Sequence, residues 1–225
     1  MIDSMKFDKR ITLLCGHYGS GKTNVAVNLA LELKKQYDKV TVADLDIVNP
    51  YFRTKDSSSD FEKAGIRLIC SEFANSNVDI PALPQEMYSI TDDTSHRVLI
   101  DVGGDDRGAL ALGRLAPKIK EENDYEMLMV INNCRPLTRT VEDTLEVMNE
   151  IEFACGIKFT GLVNNSNLGE ETTAEDVIHS LEYAENVSKA TGLPIFATAF
   201  KSELYDELSD KVPSPLALTL QNKIL

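Results

Sequence analysis

The residues Gly16-His17-Tyr18-Gly19-Ser20-Gly21-Lys22-Thr23 follow the spacing G-x-x-x-x-G-K-[ST], which suits capture of a polyphosphate. Several negative charges must be met there without steric obstruction. Glycines lacking side chains let backbone N–H groups converge on the phosphate oxygens. Lys22 is placed to meet the β- and γ-phosphates and Thr23 to ligate Mg²⁺. Asn24 follows in the first turn of the helix behind the loop, whose N-terminal dipole adds to the anion site.

Two acidic elements further along have complementary chemistry. Asp101-Val102-Gly103-Gly104 ends an apolar run. There Asp101 can hold a Mg²⁺ shell through water, and the N–H of Gly104, unobstructed by a side chain, can reach a γ-phosphate. Asp44-Leu45-Asp46 ends another apolar run. Carboxylates two residues apart on an extended chain point the same way, which suits both the Mg²⁺ shell and the holding of an attacking water. Asp46 enters an irregular segment and is the better placed to orient that water.

The elements needed to bring these groups together can be read from periodicity. Arg10 to Cys15 reads as a buried strand and Thr23 to Tyr37 as a helix with Ala26, Leu29, Ala30, Leu33 and Tyr37 on one face. Further strands are expected at Lys39–Asp44, Ile66–Cys70, Arg97–Gly104, Met127–Asn132, Ile157–Asn164 and Pro194–Thr198. Helices are expected at Gln85–Ile90, at Leu110–Glu122 with Pro117 marking a kink or an early stop, and at Thr140–Cys155 capped by Gly156. Another opens with a capping box at Thr172-x-x-Glu175. Lys55 to Asp60 reads as polar and mobile, and Ser71 to Ser95 is broken by Pro81 and Pro84. After Pro213 and Pro215 the tail reads as a short apolar helix. Strands alternating with helices predict an α/β fold with a doubly wound, mainly parallel sheet and helices on both faces, in a single domain over 1–225. In such a sheet all three chemical elements fall on the rim where ligands collect.

Composition narrows the partners. The 36 acidic and 23 basic residues leave a formal charge of −13, which disfavours nucleic acid and anionic membrane surfaces. The N-terminus has no apolar h-region, and no run approaches the roughly 18 residues of a membrane span, so a cytoplasmic protein with no membrane span is expected. Cys15, Cys70, Cys134 and Cys155 show no C-x-C or C-x-x-C pairing, so reduced thiols are expected. His96 and His179 carry no nucleophile signature and read as surface residues.

Taken together, these motifs resemble the MinD/ParA/CobQ-type P-loop ATPases, the branch with a modified Walker A motif, over about Arg10 to Thr198. The resemblance implies ATP and Mg²⁺ as cofactors and a slow hydrolase acting as a nucleotide-dependent switch on a partner protein, with a nucleotide-dependent homodimer as the family's assembly. It implies that Asp46 to Arg53 is switch I, that Asp101 to Arg107 is switch II, and that Asn164 or Asn165 lies where the family contacts adenine. Asn132 through Thr140, with Pro136, is similar to the family's strand–proline–helix connection. One departure is His17, which stands where the family's active dimers carry a signature lysine. Imidazole, with an unperturbed pKa of about 6.5, supplies only part of that fixed charge at neutral pH. Arg53 and Arg107 are candidates to replace it, or are surface arginines. Lys22, Asp46 and Asp101 are the expected catalytic groups, and Thr23, Asp44, Asp46 and Asp101 the expected Mg²⁺ ligands. Two alternatives stay open: an ATP-dependent small-molecule ligase or kinase of the dethiobiotin synthetase-like type, and a non-catalytic nucleotide sensor or metalloenzyme assembly factor.

Overall fold

A computed structural model describes residues 7–46, 57–70, 83–104 and 106–220, the last range without the side chains of 106 and 107. Its strands are β1 (Ile11–Cys15), β2 (Val40–Leu45), β3 (Arg67–Cys70), β4 (Arg97–Val102), β5 (Tyr125–Ile131), β6 (Gly161–Asn164), β7 (Ile195–Lys201) and β8 (Pro215–Leu218). The helices are α1 (Lys22–Gln36), α2 (Ser58–Ala64), α3 (Ser89–Asp92), α4 (Asp106–Glu122), α5 (Val141–Cys155), α6 (Ala174–Thr191) and α7 (Tyr205–Leu208). The strands form one eight-stranded sheet in the order β3-β2-β4-β1-β5-β6-β7-β8, and every neighbouring pair is parallel.

Parallel strands must be joined by crossovers, and alternation along each strand decides which side chains meet which helices. Leu13, Ile100 and Met129 face α4, α5 and α6, packing with Leu112, Leu115, Ile119, Met148 and Val187. Leu14, Leu99 and Val130 face the other way, onto Val25, Leu29 and Leu33 of α1 and Phe61 of α2. The result is a three-layer α/β sandwich with apolar cores on both sides of the sheet. β1 lies between β4 and β5, so the chain leaves β1 toward β2 on one side, over α1, and leaves β4 toward β5 on the other, over α4. These opposite departures open a crevice at the C-terminal ends of β1 and β4.

Several sequence expectations need correction. The tail is not helical at Pro215–Leu218: it adds β8 to the sheet edge, burying Leu216 and Leu218 against the α1 side. A four-residue run of alternating leucines fits either period, and pairing with β7 decides it. The polar segment around Asp60 is not wholly irregular. Ser58–Ala64 is helical because Phe61 anchors it in the core and Gly65, with φ 67°, ends it in the left-handed conformation. α4 begins at Asp106 and runs through Pro117 without stopping there, its buried stripe offsetting the proline's cost of about 3 kcal/mol. The capping box of α6 is Thr173 with Asp176, while the Thr172 hydroxyl donates to Gly169 O. Of the expected strand Ile157–Asn164, only Gly161–Asn164 joins the ladder. The left-handed Gly156 ends α5 as expected, and a capping box that the sequence reading did not single out, Thr140 with Asp143, starts it.

At the far end of the sheet, Thr12 and Glu126 are register partners on β1 and β5, and the Thr12 hydroxyl donates to Glu126 Oε1 at 2.8 Å. Burial lifts the Glu126 carboxyl above its ordinary value, with the Thr12 hydrogen bond opposing. A carboxyl raised in the folded state favours the fold most below its unfolded pKa of about 4.3, and this advantage is lost as pH rises through the folded value. Glu126→Gln keeps an acceptor for Thr12 without the charge. The variant is expected to melt at a higher Tm than the parent at pH 7 and at the same Tm near pH 4, as checked by calorimetric scans at both values.

Candidate phosphate-binding site

The loop between β1 and α1 has its distinctive shape because α1 begins without a capping side chain. Its N-cap is Gly21, at φ 88°, and no acidic residue lies in the first turn. The first N–H groups of the helix therefore lack the side-chain acceptor that usually satisfies them, leaving the helix end suited to an anion. Gly21 is also required for space, since a Cβ there would sit 2.2 Å from Asn165 Nδ2. Lys22 is buried at 6 % exposure and its ammonium donates to His17 O at 3.1 Å, spanning the loop. The Ser20 N–H donates to the same carbonyl at 3.1 Å. Ser20 Oγ is buried with no hydrogen-bond partner among the described residues, a polar atom inside the loop that a ligand could satisfy.

The acidic elements meet this loop from the neighbouring strand ends. The Thr23 hydroxyl donates to Asp101 Oδ2 at 2.9 Å, and both residues are buried. Asp44 on β2 is the direct register partner of Asp101 on β4. Alternation puts both carboxylates on the α1 side, because Val42 and Leu99 pack there while Ala43 and Ile100 pack on the opposite face. Asp44 Oδ1 accepts the Asp46 N–H at 2.9 Å, which turns the chain after β2 and holds Asp46 at the crevice. Gly103 lies beside Asp46, since a Cβ there would come 3.4 Å from Asp46 Oδ1. Gly104 lies against the loop itself: a Cβ would come 2.7 Å from Lys22 Nζ and 2.7 Å from Tyr18 N.

Lys22, Thr23, Asp44, Asp46, Asp101 and Gly104 thus converge on one crevice. A threonine that gives its proton to a buried carboxylate turns its oxygen lone pairs outward, the arrangement a hard cation needs. Thr23 with Asp101, backed by Asp44, has the oxygen chemistry of a Mg²⁺ site, which takes one or two carboxylates and completes its shell with phosphate oxygens and water.

The remaining expected residues fall into three groups. Gly16, Tyr18 and Gly19 lie in the loop with Ser20 and Gly21, while Asn24 is half-buried in the first turn of α1. His17 is half-buried, and its Nδ1 lies 2.9 Å from Tyr18 O. Asn164 is fully buried, its amide donating to Ser180 Oγ at 2.8 Å and its Oδ1 accepting from Ser166 N. Asn165 donates from Nδ2 to Ser20 O at 2.7 Å, tying the β6–α6 connection to the loop. Arg53, most of the switch I stretch and the Arg107 side chain lie outside the described residues.

All four cysteines are free. Burial pushes the Cys15 thiol well above its ordinary value, Cys155 and Asp101 adding to the rise and Lys22 opposing it. Cys15 is therefore a neutral packing residue beneath the loop.

Sequence reasoning missed Arg135, whose Nε donates to Gly19 O at 2.8 Å from the connection after β5. Its only local signal was a basic residue next to Pro136 in a connection already identified. A cleft of about 480 Å³ opens at the opposite end of the sheet, lined by Arg10, Tyr37, Lys39, His96 and Arg97. Its arginines are already engaged, Arg10 with Glu122 and Arg97 over the Tyr37 ring at 4.3 Å.

No family model and no curated protein matches the chain. Solved structures share its architecture. FtsY from Thermotoga maritima superposes with a TM-score of 0.58 at 16 % identity, over 85 % of this chain and 63 % of that one. Chloroplast FtsY from Physcomitrella patens gives 0.54 at 17 % identity, over 87 % and 59 %. The signal recognition particle 54 kDa protein from Aeropyrum pernix, solved in complex with GDP, gives 0.53 at 18 %, over 88 % and 42 %. The chain thus spans 42–63 % of the length of these proteins. Identities this low carry the architecture alone, and that architecture is the three-layer α/β P-loop NTPase fold.

Gly104→Ala tests the packing of β4 against the loop without imposing backbone strain, because only the added methyl group is at issue. Triphosphate affinity is expected to fall about tenfold, or ~1.4 kcal/mol, in titration calorimetry. Affinity equal to the parent's would contradict the close approach of Gly104 to Lys22 and Tyr18.

Proposed function

We propose that the chain is a single P-loop domain that binds Mg-ATP at the Gly16–Thr23 loop and hydrolyses it slowly, acting as a nucleotide-dependent switch on a partner protein. The observation that carries this reading is the Thr23–Asp101 hydrogen bond at 2.9 Å, with Asp44 in register beside it, because it joins the phosphate loop to the acidic strand ends in one site. Lys22 leaves the His17 carbonyl to meet the β- and γ-phosphates. The Gly104 N–H reads the γ-phosphate, and Asp46 orients the attacking water. Bound Mg²⁺, held by Thr23 and Asp101 with Asp44 behind them, would neutralise charge on the phosphate oxygens.

ATP is preferred over GTP on the chemistry of the rim after β6. Guanine presents N–H donors that pair best with a carboxylate, and the stretch Asn164-Asn165-Ser166-Asn167 contains none. The relatedness to MinD/ParA/CobQ-type ATPases belongs to the same proposal, as does a nucleotide-dependent homodimer.

The switch reading is supported by apolar side chains around the crevice. Tyr18, Leu110, Leu137 and Leu168 are all at least half exposed, and they lie on the loop, on α4 and on the connections after β5 and β6. A partner seated on them would be sensitive to whatever the loop holds. Among the described residues no helix is long and apolar enough to cross a membrane.

Phosphate release should be measured with ATP and with GTP, each with and without Mg²⁺. The expected result is Mg²⁺-dependent turnover of ATP that Lys22→Ala and Asp46→Ala each reduce about a hundredfold or more. Rates unchanged by both substitutions would overturn the assignment.

A further inference from the structure

A glycine-rich loop is conformationally loose, because Gly19 and Gly21, at φ 76° and 88°, have many other conformations open to them. An anion cradle works only if its amides already point inward, since ordering them on binding subtracts from affinity. The carbonyl of one residue and the N–H of the next lie on opposite sides of a planar trans unit, so holding a carbonyl outward aims the following amide inward. Two successive carbonyls of this loop are held from outside. Asn165 Nδ2 donates to Ser20 O at 2.7 Å, and Arg135 Nε donates to Gly19 O at 2.8 Å. The first pin is buried and the second is exposed. Arg135 is itself fixed by its neighbours, since its backbone N–H donates to Asn132 O and its carbonyl accepts from Thr138 N. Asn132 in turn receives the Cys134 and Asn167 N–H groups on its side-chain oxygen, bracing the connections after β5 and β6 against each other.

We propose that Arg135 is a positioning residue for the phosphate loop, its Nε–H pinning the Gly19 carbonyl outward while the following Ser20 N–H turns inward onto His17 O, so that the loop is preset for a triphosphate. Its effect on affinity rests on the nucleotide-binding reading above, whereas its effect on the empty loop does not. The group that matters is the N–H donor rather than the charge. Glutamine carries its amide nitrogen the same number of bonds from Cα as arginine carries Nε, so Arg135→Gln keeps the donor and removes the cation, and Arg135→Ala removes both.

The test combines two measurements on the full chain. Hydrogen exchange of the nucleotide-free protein is followed over peptides spanning 16–22, and Kd for Mg-ATP is measured for the parent, Arg135→Ala and Arg135→Gln. Arg135→Ala is expected to speed exchange in the loop about fivefold and to weaken binding about fivefold, while exchange in the β1 and β5 strands stays as in the parent. Arg135→Gln is expected to match the parent within about twofold in both readouts. Parent-like loop exchange in Arg135→Ala would overturn the proposal, as would Arg135→Gln behaving like Arg135→Ala. If the parent binds no ATP but Arg135→Ala still loosens the loop, the tether stands and the nucleotide reading falls.

Discussion

The structure depends on the desolvation of charge at one crevice. Lys22, Asp44, Asp46 and Asp101 are each at most 9 % exposed, and they lie at or just beyond the C-terminal ends of three adjacent strands, β1, β2 and β4. Ionised groups withdrawn from water cost free energy unless other charges and hydrogen bonds replace the solvent. Here a lysine donates to the His17 carbonyl, a threonine hydroxyl donates to an aspartate, and one aspartate accepts from the backbone N–H of the next. A polyanion and a divalent cation entering together would complete that compensation, the anion against Lys22 and the helix end, the cation against the carboxylates.

That crevice exists because of strand order. With β1 between β4 and β5, the helices that follow β1 and β4 depart over opposite faces of the sheet. The glycines then determine how close the walls come. Gly104 against Lys22 and Tyr18, and Gly21 against Asn165, are approaches at which any side chain would displace backbone or amide atoms. Sheet topology therefore makes the crevice, and missing side chains let its walls approach closely.

The loop was legible in the sequence because its chemistry is local: eight consecutive residues specify the turn, the cation and the hydroxyl. The acidic strand ends were legible as single features, since an aspartate closing an apolar run marks both a strand end and its rim. Their register was not, because Asp44 and Asp101 become partners only through the order β2-β4, which no local pattern states. The tail was misread because four alternating residues fit two periods, and α2 because a single Phe61 anchors an otherwise polar segment. The capping box was displaced by one residue because Thr172 and Thr173 both precede an acid at the right spacing. Arg135 escaped notice because its role lies in which carbonyl it reaches, a matter of tertiary geometry alone.

The loop and the carboxylates of Asp44 and Asp101 are proposed to form one Mg-triphosphate site. The most direct measurement is a crystal structure with Mn²⁺ and a non-hydrolysable ATP analogue, the metal located by its anomalous signal. The expected result is a metal peak beside Thr23 Oγ1 on the Asp101 side, between phosphates held by the loop, with Lys22 Nζ moved from His17 O to a phosphate oxygen. A nucleotide bound elsewhere, or a metal remote from Thr23 and Asp101, would contradict it.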